Sequence, residues 1–254
     1  MTTSTSNNDS NPTELTVSQA INYRRSVRVY DSEKPIAENT VRKCLEQASL
    51  APNSSNMQLW EFYHITSPEI LSKMAPLCLN QNAAKTAQQL VVFVTRKDLW
   101  SKRAKANLAM IDDQFPLKPG EKPKGRAAGI RIYYKKLIPF LYRNFLGLMG
   151  WFRWGIAMIT GIFRPIYRQV RERDMRVVVH KTCGLAAQTF MISMAAVGYD
   201  TCPMEGFDSY RVKKLLKLPR GAEINMVVSC GIRTPKGVYG ERFRVPFESI
   251  YRNI

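Results

Sequence analysis

Five arginines and one serine are the residues whose types and spacing most clearly suit chemistry on an anion. Arg24, Arg25 and Arg28 fall within five residues, with Ser26 between them as a hydroxyl donor; Arg242 and Arg244 flank Phe243 near the other end of the sequence. A guanidinium presents paired donors in a fixed fork that matches phosphate oxygens. In an extended segment alternate residues point the same way, so Arg242 and Arg244 would share a face. Either cluster alone is also what a solvated surface looks like. An anion site therefore requires a fold that brings the two together.

Other chemistries find less support. Cys44, Cys78, Cys183, Cys202 and Cys230 are scattered with no CxxC pair, so neither a zinc site nor a disulfide framework is indicated. The histidines are His64 and His180. His180 lies in an apolar helical stretch and reads as a satisfied core residue. No glycine-rich dinucleotide fingerprint is present.

The elements that must position the arginines can be read from periodicity. A helix begins at Val17, with Val17, Ala20 and Ile21 on one face, and runs into the arginine cluster. Val41, Cys44, Leu45 and Ala48 repeat at helical spacing up to Pro52. Asn53–Asn56 is a polar loop, Phe62–Thr66 a short strand, and Pro68 opens a helix through Leu71, Met74 and Leu77. Leu90–Thr95 reads as a buried strand, Val177–Gly198 as a long core helix, and Asp200–Phe207 as a turn. A short helix with Val212, Leu215 and Leu216 precedes a core strand, Asn225–Ile232. Helices alternating with isolated buried strands point to a single α+β or α/β domain.

The chain has 254 residues, 45% hydrophobic and 23% charged, which excludes a wholly disordered or collagenous protein. The first fifteen residues are polar, lack a signal pattern, and read as a disordered tail over 1–13 ahead of one domain, 14–254. The net charge of +18 is uneven: Arg96 to Arg176 holds 19 Lys/Arg and 6 Asp/Glu, and the remainder is nearly balanced. The excess therefore describes one segment, not the core function.

INYRRSVRVY (Ile21–Tyr30), APNSSNMQLW (Ala51–Trp60) and CPMEGF (Cys202–Phe207) resemble the FMN-dependent nitroreductase family. Asn80-Gln81 ahead of LVVF, the helix ending in GYD, and RFRVP (Arg242–Pro246) follow in the same order. The resemblance implies a three-layer α+β fold with a central, mainly antiparallel sheet flanked by helices, and a homodimer with FMN at the subunit interface. Arg24, Arg25, Ser26 and Arg28 would hold the FMN phosphate and the pyrimidine edge. Pro52, Asn53, Ser54 and Asn56 would reach it from the partner subunit. Asn80 would lie at the ring, Glu205 and Gly206 beside its N5 edge, and Arg242 and Arg244 on the phosphate. Leu59 stands where family members commonly have proline.

These residue types agree with the implied roles. A reduced flavin carries negative charge near N1 and O2, and a fixed guanidinium there, best supplied by Arg28, would stabilise it. Gly206 would let backbone approach the ring closely. Glu205 also reads as a structural turn carboxylate. No protein nucleophile or base is required: hydride passes from NAD(P)H to the flavin and then to a second substrate at the same open site.

The segment 112–173 reads as a helical insert. Leu137–Phe163 is apolar and aromatic, with Arg143 and Arg153 as its charges and basic residues on both flanks. Its uncharged stretches are too short for a transmembrane helix, which needs about 20 apolar residues, and basic flanks on both sides oppose a single span. It reads as a pocket lid, a dimer-wrapping arm, or a surface that meets anionic lipid through 131–173. Nucleic acid fits poorly, because the aromatics do not alternate with the basic residues.

The sequence thus leads to a cytoplasmic FMN-dependent NAD(P)H oxidoreductase acting on nitroaromatic, quinone or related conjugated small molecules. Peripheral placement at the inner membrane face is the variant. The alternatives are another flavin reaction, such as reductive dehalogenation or small-metabolite dehydrogenation, and a non-catalytic, membrane-associated flavin-binding protein.

Overall fold

A computed structural model of the chain describes residues 14–118, 120–145 and 147–254; the expected tail over 1–13 lies outside them. Four strands form one antiparallel sheet: β1 (Trp60–Ile65), β2 (Gln89–Thr95), β3 (Asp200–Met204) and β4 (Glu223–Gly231), in the order β1-β2-β4-β3. Central β2 is buried along its whole length because both faces of the sheet are covered. Its side chains alternate between layers. Val91 and Phe93 enter the core shared with α2 (Glu38–Ala48) and α9 (Glu172–Ala196). Leu90, Val92 and Val94 enter the core shared with α3 (Pro68–Leu77) and α10 (Ser209–Leu215). This is the three-layer α+β arrangement expected from the sequence.

Two local readings change. Asp200–Met204 is an edge strand and not a turn; Pro203, which has no N–H to donate, is tolerated at an edge and hides the strand from a propensity reading. In α1 (Val17–Tyr23) the buried residue is Ala20, whereas Val17 and Ile21 are exposed. The helix itself is well specified, with a capping box between Thr16 and Gln19.

The long excursion after β2 is helical: α5 (Trp100–Gln114), α6 (Gly125–Ile132), a π-helical turn (Tyr133–Leu137), α7 (Ile138–Tyr142) and α8 (Leu148–Phe163). Position 112 falls inside α5 and position 173 in the first turn of α9. A third, smaller core joins this excursion to the body through Met57, Leu59, Ala104, Ile138, Tyr142, Met175 and Val179. Arg153, one of the two charges in the apolar stretch, is fully buried there. Its Nε donates to the Val170 carbonyl at 2.8 Å, Nη1 to the Phe140 and Arg143 carbonyls at 2.9 and 2.8 Å, and Nη2 to Glu172 at 2.6 Å. A buried cation with this many partners fixes the path of the helices around it. Between β3 and the C-terminus lie α10 and a final short helix, α11 (Phe247–Ile250).

Candidate active site

The arginine-rich segment leaves α1 and runs along the free edge of β3. Ser26 forms an isolated bridge with Thr201, and the Val27 N–H donates to the Thr201 carbonyl at 3.2 Å. Val27 and Tyr30 are buried, Tyr30 donating from its hydroxyl to the Ser229 carbonyl at 3.0 Å. With those two side chains turned inward, Arg24, Arg25, Ser26 and Arg28 line a cavity of about 250 Å³.

The chain returns from β4 to close this cavity. Thr234 and Gly237 pair with Val29 and Arg28, the Arg28 N–H donating to the Gly237 carbonyl at 2.6 Å. Glycine is required at 237, because a Cβ would lie 2.4 Å from the Val29 carbonyl oxygen. Gly240 has a positive φ of 67°, and its carbonyl accepts from Arg25 Nη2 at 3.0 Å. Arg242 Nη2 donates to the main-chain carbonyls of Asn22 and Arg24 at 2.8 and 2.6 Å. The arginines expected at opposite ends of the sequence therefore share one cavity, which Arg242, Phe243 and Arg244 also line.

These side chains have two kinds of duty. Arg25 and Arg242 bind the opposing main chain and hold the two segments together. Arg24 and Arg28 make no side-chain hydrogen bond, and none of the five arginines makes an ion pair, among the described residues. Glu241 is the cavity's carboxylate. Burial lowers the Arg24 pKa, and the positive charges of Arg242 and Arg244 lower it further. Five cations held together with a single carboxylate, and with no ion pair to any of them among the described residues, leave a strong local demand for an anion. Burial raises the pKa of Cys202, while nearby Arg28 and Arg24 pull it back down, which puts this thiol beside the same charges.

Asn80, Glu205 and Gly206 do not line the cavity, but two bonds tie the loops that carry them to each other and to its wall. Gln81 Nε2 donates to the Gly206 carbonyl at 2.8 Å, and Asn82 Nδ2 donates to the hydroxyl of Tyr239, a cavity residue, at 3.0 Å. Asn80 and its neighbour Leu79 both have positive φ, 56° and 55°. Left-handed backbone at non-glycine residues costs on the order of 1–3 kcal/mol each and concentrates at functional sites. A Cβ at Gly206 would meet protein atoms no closer than 3.5 Å, so the fold itself does not demand glycine there. Glu205 is exposed and has no protein partner among the described residues.

Pro52, Asn53, Ser54 and Asn56 stand apart from this cavity. Their loop is tied to the excursion: Asn56 and Asn107 exchange hydrogen bonds at 2.9 Å each, and Tyr134 donates to the Ser55 carbonyl at 2.9 Å. Ser55, Asn56 and Gln58 all have positive φ. Leu59 is buried in the small third core, so its apolar side chain has a packing role in this loop.

The two histidines are engaged elsewhere, His64 with Gln89 at 2.7 Å and His180 with Glu223 and Asn225 at 3.3 and 3.1 Å. Among the described residues no group of three or more His, Cys, Asp or Glu is placed to hold a metal ion. Tyr239, Gln81 and Asn82 were not singled out in the sequence. Asn82 and Tyr239 are joined only in three dimensions, and a single polar residue carries no periodic signal.

A family model for the nitroreductase family matches residues 21–232. The chain belongs to the nitroreductase family. Protein DrgA of Synechocystis is 29% identical over 215 residues, covering 85% of this chain and 83% of that protein. A Staphylococcus haemolyticus protein provisionally named an NAD(P)H nitroreductase is 25% identical, covering 84% and 81%. The fold superposes on a Bacillus subtilis protein with TM-score 0.70 at 19% identity, covering 93% and 98%. A provisionally named nitroreductase of Exiguobacterium sibiricum, solved in complex with FMN, gives TM-score 0.65 at 21% identity, covering 96% and 100%. The nitroreductase match spans the first arginine cluster, the polar loop and the sheet, and stops before Arg242.

Proposed function

We propose that the chain is an FMN-dependent NAD(P)H oxidoreductase that reduces nitroaromatic, quinone or related conjugated small molecules. The observation that carries this reading is the cavity of five arginines with no ion pair among them, in a nitroreductase-family fold. Its donor set suits a phosphate monoester: guanidinium groups, the Ser26 hydroxyl and neighbouring main-chain N–H groups. When bound, FMN supplies hydride acceptance and donation at ring N5.

The protein's part is binding, field and access. Arg24 and Arg244 hold the phosphate; Arg25 and Arg242 keep the two segments at the spacing that a phosphate needs. Arg28 places positive charge on the pyrimidine side of the ring, where it favours the reduced form. Asn80 and Glu205-Gly206 line the ring edge, held together by Gln81.

The working unit is proposed to be a homodimer. Glu241–Ile254 is exposed throughout and carries Phe243, Val245, Phe247, Ile250 and Tyr251, apolar surface that a monomer would leave in water. Pro52, Asn53, Ser54 and Asn56 then come to each cofactor from the other subunit, which explains why they do not line their own chain's arginine cavity. The test is an absorbance spectrum of the purified protein followed by NADH and NADPH oxidation with benzoquinone or a nitroaromatic. Bound flavin released as FMN, bleached by a reduced nicotinamide and recoloured by the acceptor, is the expected result. Flavin that neither nucleotide bleaches would leave the non-catalytic binding protein.

A further inference from the structure

The excursion carries a feature that flavin chemistry does not use. In α8 the buried positions are Gly150, Arg153 and Ala157. Leu148, Phe152, Ile156, Ile159 and Phe163 are exposed, at spacings of four, four, three and four residues. That spacing places them on one face of the helix, opposite the buried one. Ordinary amphipathic packing is thus inverted: the cation points in and the apolar stripe points out. Four of the five are more than half exposed, Leu148 at 62%, Phe152 at 59%, Ile159 at 65% and Phe163 at 82%.

What surrounds the stripe identifies what it fits. From Lys122 to Arg171 the sequence contains eleven Lys/Arg and no Asp or Glu. Arg143, Arg164 and Arg168 are exposed beside the two ends of α8, and Lys135 and Lys136 are exposed on the π-helical turn that precedes it. Arg171 lies over the rings of Trp151 and Trp154, 4.2 and 4.4 Å from their centroids, beside the N-terminal half of the helix. Its Nε is buried without a hydrogen-bond partner. Tryptophan and arginine in this combination suit the boundary between acyl chains and headgroups.

We propose that the outward face of α8 docks on an anionic lipid bilayer. The apolar stripe enters the acyl boundary, and the surrounding lysines and arginines meet the headgroups. At 1.5 Å per residue a 16-residue helix is about 24 Å long, less than the ~30 Å hydrocarbon core, so it lies in the surface and does not cross. No helix among the described residues is long and apolar enough to span. A second copy of the chain is a poorer occupant. A two-fold contact sets the same patch against itself, and with no carboxylate from 122 to 171 the cations at both ends would face cations.

The docking surface is independent of the flavin assignment. The full-length protein, as purified, is floated with vesicles of pure phosphatidylcholine and with vesicles containing phosphatidylglycerol. A Phe152→Gln/Ile159→Gln variant is taken through the same steps, and both proteins are sized by sedimentation velocity. Expected are co-flotation with the anionic vesicles only, weakening with added salt, and loss of binding by about tenfold or more in the variant at unchanged flavin content and oligomeric state. No flotation of the parent protein overturns the proposal, as does a variant that floats as well as the parent. A variant whose oligomer falls apart also overturns it, because the face is then an interface between copies. Flotation by a protein that holds no flavin would sink the proposed activity and leave the membrane surface standing.

Discussion

Arg242 donates to the main-chain carbonyl of Arg24 at 2.6 Å, joining positions 218 residues apart. This bond, with its counterpart from Arg25 to the Gly240 carbonyl, makes an anion site out of two arginine clusters that could each have been ordinary surface. Arg25 and Arg242 are used on the opposing backbone and Arg244 Nη1 on the Phe243 carbonyl at 2.7 Å, so that Arg24, Arg28 and the rest of the Arg244 fork remain for a ligand.

Replacing Arg242 with Met keeps the length of the side chain and removes its donors. The arm from Glu241 onward should loosen, and flavin affinity should fall by roughly tenfold, on the scale of about 1.4 kcal/mol for hydrogen bonds to a charged donor. Limited proteolysis within 241–254 and flavin titration measure both. An arm that stays as protected as before would show that something else holds it.

The Arg28 side chain makes no hydrogen bond or ion pair among the described residues, so Arg28→Ala should act on the ligand and not on folding. The midpoint potential of bound flavin should fall by about 30 mV or more, equivalent to ~1.4 kcal/mol of lost stabilisation in a two-electron couple. Spectroelectrochemistry at fixed pH reads this directly. An unchanged potential removes Arg28 from the ring edge.

Arg153→Leu should cost about 3–5 kcal/mol of stability, because it breaks a buried ion pair and leaves three carbonyls without their donor, while Glu172 keeps Lys97 at 3.0 Å. Denaturant unfolding measures it. A near-neutral result would mean that water replaces the side chain.

Burial pushes the thiols up, Cys44 and Cys183 to about 12 and Cys78 to about 11, from an ordinary value of 9.0. The native thiols should therefore react with a thiol reagent at pH 8 at least about 100-fold more slowly than the unfolded chain, since the thiolate is the reactive form. The sign for stability follows. Below pH ~9 both states are protonated; between about 9 and 11 only the unfolded chain's thiols ionise, so this contribution is lost as pH rises. Stability that held constant across that window would contradict buried, neutral thiols.

The three layers were legible because β2 and α9 are long, apolar and buried, and such segments announce themselves by period. Arg24, Arg25, Ser26 and Arg28, singled out by the nitroreductase motifs, line one cavity with Arg242 and Arg244. Residues that act by closing distance were not legible. Asp200–Met204 was read as a turn because an edge strand needs only one partner and tolerates proline. Gly237 matters through a carbonyl of Val29 that no local pattern reveals. The inward turn of Arg153 was likewise hidden, since a lone charge in an apolar helix is ordinarily assumed to face water.

The central claim is that arginines from both ends of the chain bind the phosphate of FMN. Comparing the affinity of the apoprotein for FMN with that for riboflavin, which lacks the phosphate, tests it most directly, in the parent and in an Arg24→Ala/Arg244→Ala variant. Two charge-assisted contacts of about 1.5 kcal/mol each predict a preference for FMN of roughly 100-fold or more, erased in the variant. Equal binding of the two flavins by the parent protein would contradict the claim.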